Sequence, residues 1–147
     1  MFIEPIIARS DEQLQLCLNV RKEVFVKEQQ VPVELELDEF DASWDACRHF
    51  LLLDSGKPIA AARYRMYDER IAKLQRIAVL APYRGKGLGK QIIEQMEKDI
   101  RQQQIDAIIL DAQIQAEAFY RKLGYLTISE EPFLDAGIWH VRMKKNL

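Results

Sequence analysis

The feature that most constrains the fold is a glycine-rich turn between a strand pattern and a helix pattern. The segment IAKLQRIAVL, residues 71–80, is typical of a strand, and RGKGLG follows at residues 84–89. Apolar residues then recur at every fourth position, which predicts a helix with one apolar face: Leu88, Ile92, Met96 and Ile100. DAIILDA, residues 106–112, is a continuous apolar run, as expected of a strand covered on both sides. Strand, helix and strand in this order form a crossover unit, which predicts that the two strands are parallel neighbours.

Strand patterns also fill the first half of the chain. FIEPIIAR, residues 2–9, predicts a strand, and Pro5 favours an edge position for it. Ser10 or Asp11 is predicted to cap the helix that follows. The short turns SGK and DER join three further strand patterns, which predicts an antiparallel meander: RHFLLLD, KPIAAARYRMYD and IAKLQRIAVL. The acidic stretch VELELDEFDASWDA, residues 33–46, is expected to be a loop.

Two shorter patterns complete the chain. AEAFYRKLGY, residues 116–125, predicts a short helix that ends at Gly124, and IWHVRMKK, residues 138–145, predicts a closing strand. The sum is a mixed α/β (α+β) domain with an antiparallel first half and a βαβ second half. No linker, repeat or low-complexity tract divides the chain, so residues 1–147 are expected to form one domain.

The composition excludes several classes of function. A formal net charge of −2 gives no bulk positive field for nucleic acid or an anionic membrane. No apolar stretch is long enough to cross a bilayer, and the first residues lack the pattern of a signal peptide. Cys17 and Cys47 have no metal-ligand spacing, and Cys17 lies in a helix pattern that favours a buried thiol. We therefore expect a cytoplasmic protein that holds no metal and binds neither nucleic acid nor membrane.

Three kinds of phosphate-binding loop compete for the glycine-rich turn. The dinucleotide fingerprint needs G-x-G-x-x-G, but Lys90 stands at the third glycine position. The nucleoside triphosphate loop needs G-x-x-x-x-G-K-[ST], but Arg84 and Gln91 occupy its first and last positions. The pattern R-x-x-G-x-G matches residues 84–89 and lies at a strand-to-helix junction, where free backbone N–H groups attract anions. The turn therefore predicts a pyrophosphate-binding loop of the R-x-x-G-x-G type.

With this loop in place, the chain resembles the GCN5-related N-acetyltransferase (GNAT) superfamily over nearly its whole length. LQRIAVLAPYRGKGLGKQII looks like the strand, pyrophosphate loop and helix of that family, and AFYRKLGY is similar to its A-x-x-F-Y-x-x-x-G-F/Y segment. Further segments resemble an ElaA-like branch: RKEVFVKEQ, RHFLLL, QRIAV, DAQIQAEAFY and GIWHVRMKK. Trp139 departs from that branch, whose members more often have proline before His140. The acceptor side is therefore expected to differ.

The resemblance implies a binding site for acetyl-CoA as cosubstrate, between two parallel strands that splay apart. Main-chain groups of Ile77, Ala78 and Val79 would pair with the pantetheine arm. The Val79 N–H would stabilise the oxyanion formed from the thioester. The pyrophosphate would be held by the loop residues Arg84, Gly85, Lys86, Gly87, Leu88, Gly89 and Lys90. Tyr120 matches the family tyrosine that acts as general acid toward the departing thiolate, and the neighbouring Phe119 is expected to be the core residue.

The general base and the acceptor pocket are less well defined. Family members often use a glutamate on the strand before the loop, but Gln75 and Arg76 occupy that neighbourhood here. The other candidate bases are Glu28, His49, Asp111 and His140, with ordered water as an alternative, and His140 is chosen as the base. Glu28 and Arg63 are assigned to acceptor binding. Glu28 could equally lie on a solvated helix face, and Arg63 could pair with the acidic segment 34–41.

These features predict an acetyl-CoA-dependent N-acetyltransferase that passes the acetyl group directly to a primary amine in a ternary complex. The acceptor is a small molecule or a peptide, and the family resemblance leaves a homodimer open. Two alternatives remain at this point. A non-catalytic CoA-binding sensor would keep the loop and lack the base, and a nucleotide-binding protein would bind ATP in preference to CoA.

Overall fold

The computed structural model describes residues 1–147 and contains an eight-stranded mixed sheet. The strands are β1 (Ile3–Ile7), β2 (Arg48–Asp54), β3 (Lys57–Met66), β4 (Ile71–Val79), β5 (Ala107–Gln113), β6 (Leu126–Thr127), β7 (Phe133–Asp135) and β8 (Ile138–Asn146). The α-helices are α1 (Asp11–Arg21), α2 (Val33–Glu36), α3 (Leu88–Arg101) and α4 (Glu117–Lys122), and a π-helix (Lys22–Glu28) continues α1. Short 3₁₀ turns occupy Glu39–Asp41, Ala81–Tyr83 and Ile114–Ala116.

The sheet order confirms the predicted topology. Its path is β1-β2-β3-β4-β5-β8-β6, with β7 paired to β8 beside it. The antiparallel meander from β2 to β4 is as predicted, and β1 lies at the edge, where Pro5 needs no ladder partner on its free side. The crossover through α3 makes β4 and β5 parallel neighbours. No helix in the chain is both long and apolar enough to span a bilayer.

The two parallel strands separate part of the way along. Their ladder runs from the pair Ile71 and Ala107 to the pair Leu74 and Leu110, and pairing stops there. From that point β4 continues to Val79, while β5 continues to Gln113 against β8. A splayed gap therefore opens between the ends of β4 and β5, as the family resemblance implies.

A β-bulge lies on β4 at the beginning of this gap. The register against β3 shifts between Ala61 and Arg63, and Arg76 has a φ of +57°. Positive φ is uncommon for a residue with a side chain, and a bulge bends the strand that carries it. The bulge thus falls where β4 leaves β5, at a point that the sequence pattern does not mark.

The two faces of the sheet carry different covers. On one face α3 buries the residues predicted from its periodicity, together with Ile93, against β3 and β4. On the other face α1 buries Cys17 and Val20 against Leu51 and Ala78. Burial raises the pKa of the Cys17 thiol to about 12, which confirms that it is a buried, unreactive thiol.

The acidic stretch 33–46 is not the plain loop expected from its sequence. It forms α2 and the 3₁₀ turn Glu39–Asp41, and the carboxylates of Glu36 and Asp41 lie inside the protein. Arg21 binds Glu36 at 2.9 Å and Asp41 at 2.7 Å, and Arg63 binds Asp38 at 2.6 Å and Asp41 at 2.8 Å. Buried charges persist only when they are paired, so the arginines from α1 and β3 fix this segment against the sheet.

Candidate active site

A cleft of about 280 Å³ occupies the gap between the separated ends of β4 and β5. Leu74 and Leu110, the last residues of the parallel ladder, line it at the point of divergence. One wall comes from the π-helix and α2, through residues such as Phe25 and Leu35. The opposite wall comes from α4 and from the β7–β8 hairpin. The cleft thus combines an apolar floor with polar groups at its rim, the usual character of a small-molecule site.

The β4 main chain presents alternate groups to this cleft. The Leu80 N–H donates to the Ile59 carbonyl on β3 at 3.0 Å, and Ala78 is in register with Ala61. Because successive backbone groups point to opposite sides of a strand, the N–H and carbonyl of Val79 face away from β3, toward the gap. Ala78 was expected to pair with the pantetheine arm, but its main chain faces β3 instead. Ile77 lines the cleft.

The glycine-rich turn exposes an uninterrupted run of backbone N–H groups. Gly85 and Gly87 both have a φ of +77°, and α3 begins at Leu88 directly after them. No amide from Gly85 to Lys90 finds an acceptor within the protein, and the first one bonded is Gln91, which donates to Gly87 at 3.1 Å. Free amides at a helix N-terminus carry partial positive charge. This arrangement can bind a multiply charged anion such as a pyrophosphate.

Of the three basic residues expected to hold the pyrophosphate, Arg84, Lys86 and Lys90, only the two lysines have side chains without a close partner. The Lys86 and Lys90 side chains are exposed, and Lys90 has only a loose contact of 3.8 Å with Glu94. The Arg84 guanidinium instead forms two bonds of 2.9 Å with the Glu28 carboxylate and donates to the Val79 carbonyl at 2.9 Å. Glu28, which was assigned to the acceptor side, therefore lies beside the loop and does not line the cleft.

Tyr120 lies on α4 and reaches the cleft. Its ring packs edge-on against Phe119 at 5.1 Å and against Tyr125 at 6.1 Å between centroids. Its hydroxyl makes no hydrogen bond with another protein group. A tyrosine is protonated at neutral pH at its ordinary pKa, and burial raises the pKa of Tyr120 further. Phe119 was expected to be the core residue, but its side chain is exposed and touches the start of α3 beside Gly89. A helix of this length is too short for periodicity to separate the two residues.

His140 also lines the cleft, from β8. Its Nδ1 is 2.7 Å from the Ile138 carbonyl oxygen, and its ring is stacked on Phe133. Since a carbonyl only accepts hydrogen bonds, Nδ1 carries the proton in this contact. The contact thus selects the tautomer in which the neutral ring has its free lone pair on Nε2, and no other protein group bonds to that nitrogen. This is the form that can accept a proton from a bound amine.

The other candidate bases are engaged elsewhere. Asp111 lines the cleft, but Arg142 at 2.8 Å and Lys73 at 3.1 Å bind its carboxylate. Although burial opposes its ionisation, these partners hold the pKa of Asp111 below its ordinary value, which makes it a weak base. His49 is buried outside the cleft, with its Nε2 2.9 Å from the Phe40 carbonyl oxygen.

Arg63 does not take part in the cleft either. Its guanidinium is fully buried and is bound by Asp38, Asp41 and Gln75. Of the two roles considered for it, pairing with the acidic segment is the one that the structure shows. Arg63 also donates to the side chain of Gln75 and so fixes it in place. Gln75 lines the cleft, in the neighbourhood where family members often have a catalytic glutamate.

Several cleft residues escaped the sequence analysis. Gln29 after the π-helix and Gln113 at the end of β5 are joined by a hydrogen bond of 2.9 Å, and both line the cleft. Asp135 lines it from the β7–β8 turn. Amides and exposed acids far apart in the chain carry no local signal, so only the fold could bring them together. No group of three or more His, Cys, Asp and Glu side chains is placed to hold a metal ion.

Comparisons with known proteins agree with this geometry. The family model described as an acetyltransferase (GNAT) domain matches residues 8–147. YjcF, an uncharacterized N-acetyltransferase of Bacillus subtilis strain 168, is 44% identical over 144 residues, which is 98% of this chain and 100% of YjcF. The crystal structure of Escherichia coli ElaA is 25% identical, with a TM-score of 0.86 over 98% of this chain and 99% of ElaA. The PaiA N-acetyltransferase of Thermoplasma acidophilum, solved with coenzyme A, is alike in fold, with 19% identity and a TM-score of 0.73 over 100% of both chains.

Proposed function

The chain belongs to the GNAT acetyltransferase family, and we propose that it transfers the acetyl group of acetyl-CoA directly to a primary amine. Both substrates would be bound at once in the cleft between β4 and β5. The observation that carries this proposal is the arrangement around the end of β4: a loop with free amides follows Val79, and Tyr120 lines the neighbouring cleft.

The loop and strand fit the chemistry of CoA. The amides from Gly85 to Lys90 would bind the pyrophosphate, with Lys86 and Lys90 adding positive charge. The Val79 main chain faces the gap and would pair with the pantetheine arm as an added strand pairs with a sheet edge. The Arg84 guanidinium occupies the Val79 carbonyl in this structure. We therefore expect Arg84 to leave that carbonyl when pantetheine binds.

The cleft also holds the groups that acyl transfer needs. His140 Nε2 would accept a proton from the attacking ammonium, since only the neutral amine is a nucleophile. The Val79 N–H would donate to the thioester oxygen as negative charge develops on it. Tyr120 would donate to the departing sulfur, since its hydroxyl is protonated at neutral pH and makes no other hydrogen bond that would hold it back. Direct transfer is favoured because burial raises the pKa of the Cys47 thiol to about 11 and that of Cys17 to about 12, and neither lines the cleft.

Replacing Tyr120 by phenylalanine tests the proposal. Tyr120→Phe keeps the ring packing and removes only the hydroxyl, so we expect kcat for acetyl transfer to fall by about a hundredfold, in the range for a general acid. The dissociation constant for CoA, measured by calorimetry, should stay within about twofold because the substitution leaves the loop amides unchanged. Tyr67→Phe, at an exposed tyrosine outside the cleft, is the matched control. An unchanged kcat in Tyr120→Phe would remove this residue from the proton-donor role.

A non-catalytic CoA sensor is the less favoured reading. The sequence favoured it because Gln75 stands where a catalytic carboxylate would be expected. His140 would supply a proton acceptor in the same cleft, so the absence of that carboxylate does not argue against catalysis. Release of free thiol from acetyl-CoA over a panel of amines separates the two functions, since a sensor would bind CoA and release none. The homodimer stays a prediction.

A further inference from the structure

Every lysine, arginine, aspartate and glutamate that lines the cleft has a charged partner, with one exception. Lys73 is bound to Asp111 at 3.1 Å, and Arg76 is bound to Glu36 at 3.3 Å. Asp135 lines the same cleft and has no ion pair or hydrogen bond with any other side chain. Asp111 also binds Arg142, so both cations of the lining and both of its other carboxylates have partners. The one unpaired carboxylate is that of Asp135, which is exposed at the rim, where an incoming molecule would meet it.

The hairpin fixes Asp135 relative to the proposed base. Asp135 and Ile138 are partners across a two-residue turn, Ala136-Gly137, whose φ angles of +50° and +75° are both left-handed. Such turns hold the two strands of a hairpin in a single register. Because cross-strand partners project to one face and side chains alternate along a strand, His140 lies on the same face as Ile138 and Asp135. All three of these residues line the cleft.

The separation of the two functional groups follows from this register. His140 lies two positions beyond the cross-strand partner of Asp135, and such diagonal neighbours are roughly 7–8 Å apart. An amine whose reacting nitrogen approaches His140 would therefore place a second group beside Asp135 if that group lay roughly four to five carbons away.

We propose that the acetyl acceptor is a primary amine that carries a second positive charge, and that Asp135 binds this second charge. The inference rests on the proposed function, since it assumes that the amine reacts beside His140. A cation would pair with the only charged side chain of the lining that has no partner, whereas an anionic acceptor would meet Asp135 with like charge and find both lining cations, Lys73 and Arg76, already paired.

Two amines of equal length provide the test. With acetyl-CoA saturating, we compare kcat/KM per amino group, because 1,4-diaminobutane has two equivalent amines and 1-aminopentane has one. We expect the value for 1,4-diaminobutane to exceed that for 1-aminopentane by about fivefold, the upper range for a largely exposed ion pair. Asp135→Asn should bring this ratio close to one, and high salt should lower the ratio in the unsubstituted protein. Glu131→Gln makes the same charge change at an exposed residue outside the cleft and should leave the ratio intact.

The outcomes separate this inference from the proposed function. A ratio near one in the unsubstituted protein, or a ratio that Asp135→Asn does not change, would overturn the inference while acetyl transfer itself stands. If neither amine is acetylated, calorimetric titration of 1,4-diaminobutane into the CoA-saturated protein decides the matter. Binding that Asp135→Asn abolishes would support recognition of the second charge although transfer fails. No binding to the unsubstituted protein would refute the recognition.

Discussion

Replacing Gly87 by alanine tests whether the loop amides hold the pyrophosphate. Gly87 has a φ of +77°, and a Cβ built there meets no atom within 4 Å. The new methyl group therefore costs backbone strain alone, about 1 kcal/mol for a residue with a side chain in the left-handed region. For a chain near this size we expect the melting temperature to fall by about 2–4 °C.

The effect on CoA should be far larger than this strain. The Gly87 methyl would project from a turn whose amides are all free, where a pyrophosphate must approach closely. Hydrogen bonds to charged groups contribute about 1.5–3 kcal/mol each, so losing one contact weakens binding by about tenfold or more. We expect calorimetry to show that loss for CoA and no change for pantetheine, which lacks the pyrophosphate.

Gly137 offers a control with the same backbone strain. Its φ is +75°, and a Cβ there also meets nothing within 4 Å, but it lies in the β7–β8 turn. Gly137→Ala should lower the melting temperature as much as Gly87→Ala and leave CoA binding unchanged. Equal CoA affinities in the two variants, or equal losses for CoA and pantetheine, would show that the turn does not hold the pyrophosphate.

Three further substitutions test the remaining assignments. Asp41→Asn leaves two buried guanidinium groups without a full partner, so the free energy of unfolding should fall by about 3–5 kcal/mol in denaturant titrations. Although burial opposes ionisation, those arginines lower the pKa of Asp41, so its contribution is present above about pH 4 and is lost as the pH falls further; Asp41→Asn should show a weaker acid dependence there. Glu28→Gln frees Arg84 and should tighten CoA binding by up to about fivefold while leaving the amine KM unchanged, the opposite of what an acceptor-binding role predicts. His140→Gln should lower kcat by about a hundredfold with CoA affinity intact, and a normal kcat would point to water as the proton acceptor.

The parts of the fold that the sequence predicted are those with a local signal. The crossover was predicted because the apolar periodicity changes from a strand pattern to a helix pattern across the glycines. The glycine-rich loop was predicted because all residues of its motif are contiguous in the sequence. Ala78 was placed on the wrong side of β4 because the side that an amide faces depends on the register with β3. That register is shifted by the bulge at Arg76, and nothing in the local pattern around Arg76 shows the shift.

Ion pairs between distant segments account for the other errors. Glu28 and Arg84 are far apart in the chain, and so are Arg63 and Asp38, yet each pair meets at 2.9 Å or less. A charged residue looks the same in the sequence whether its side chain binds a ligand or forms an ion pair with another residue of the protein. The acidic stretch 33–46 resembled a solvated loop for the same reason, since its partners lie on α1 and β3.

The two sides of the cleft are therefore specified by different physical means. The side proposed for CoA is built from backbone groups, so it depends on glycine positions and on strand divergence rather than on particular side chains. The wall that includes Leu35 and Glu36 is held in place by buried ion pairs to Arg21 and Arg76, and the opposite wall is a tight hairpin. Substitutions on the face of that hairpin that lines the cleft, at Asp135 above all, can thus alter which amine is accepted while the loop amides remain as they are. A related protein with a neutral residue at that position and an unchanged loop should bind CoA equally well and lose the preference for a doubly charged amine.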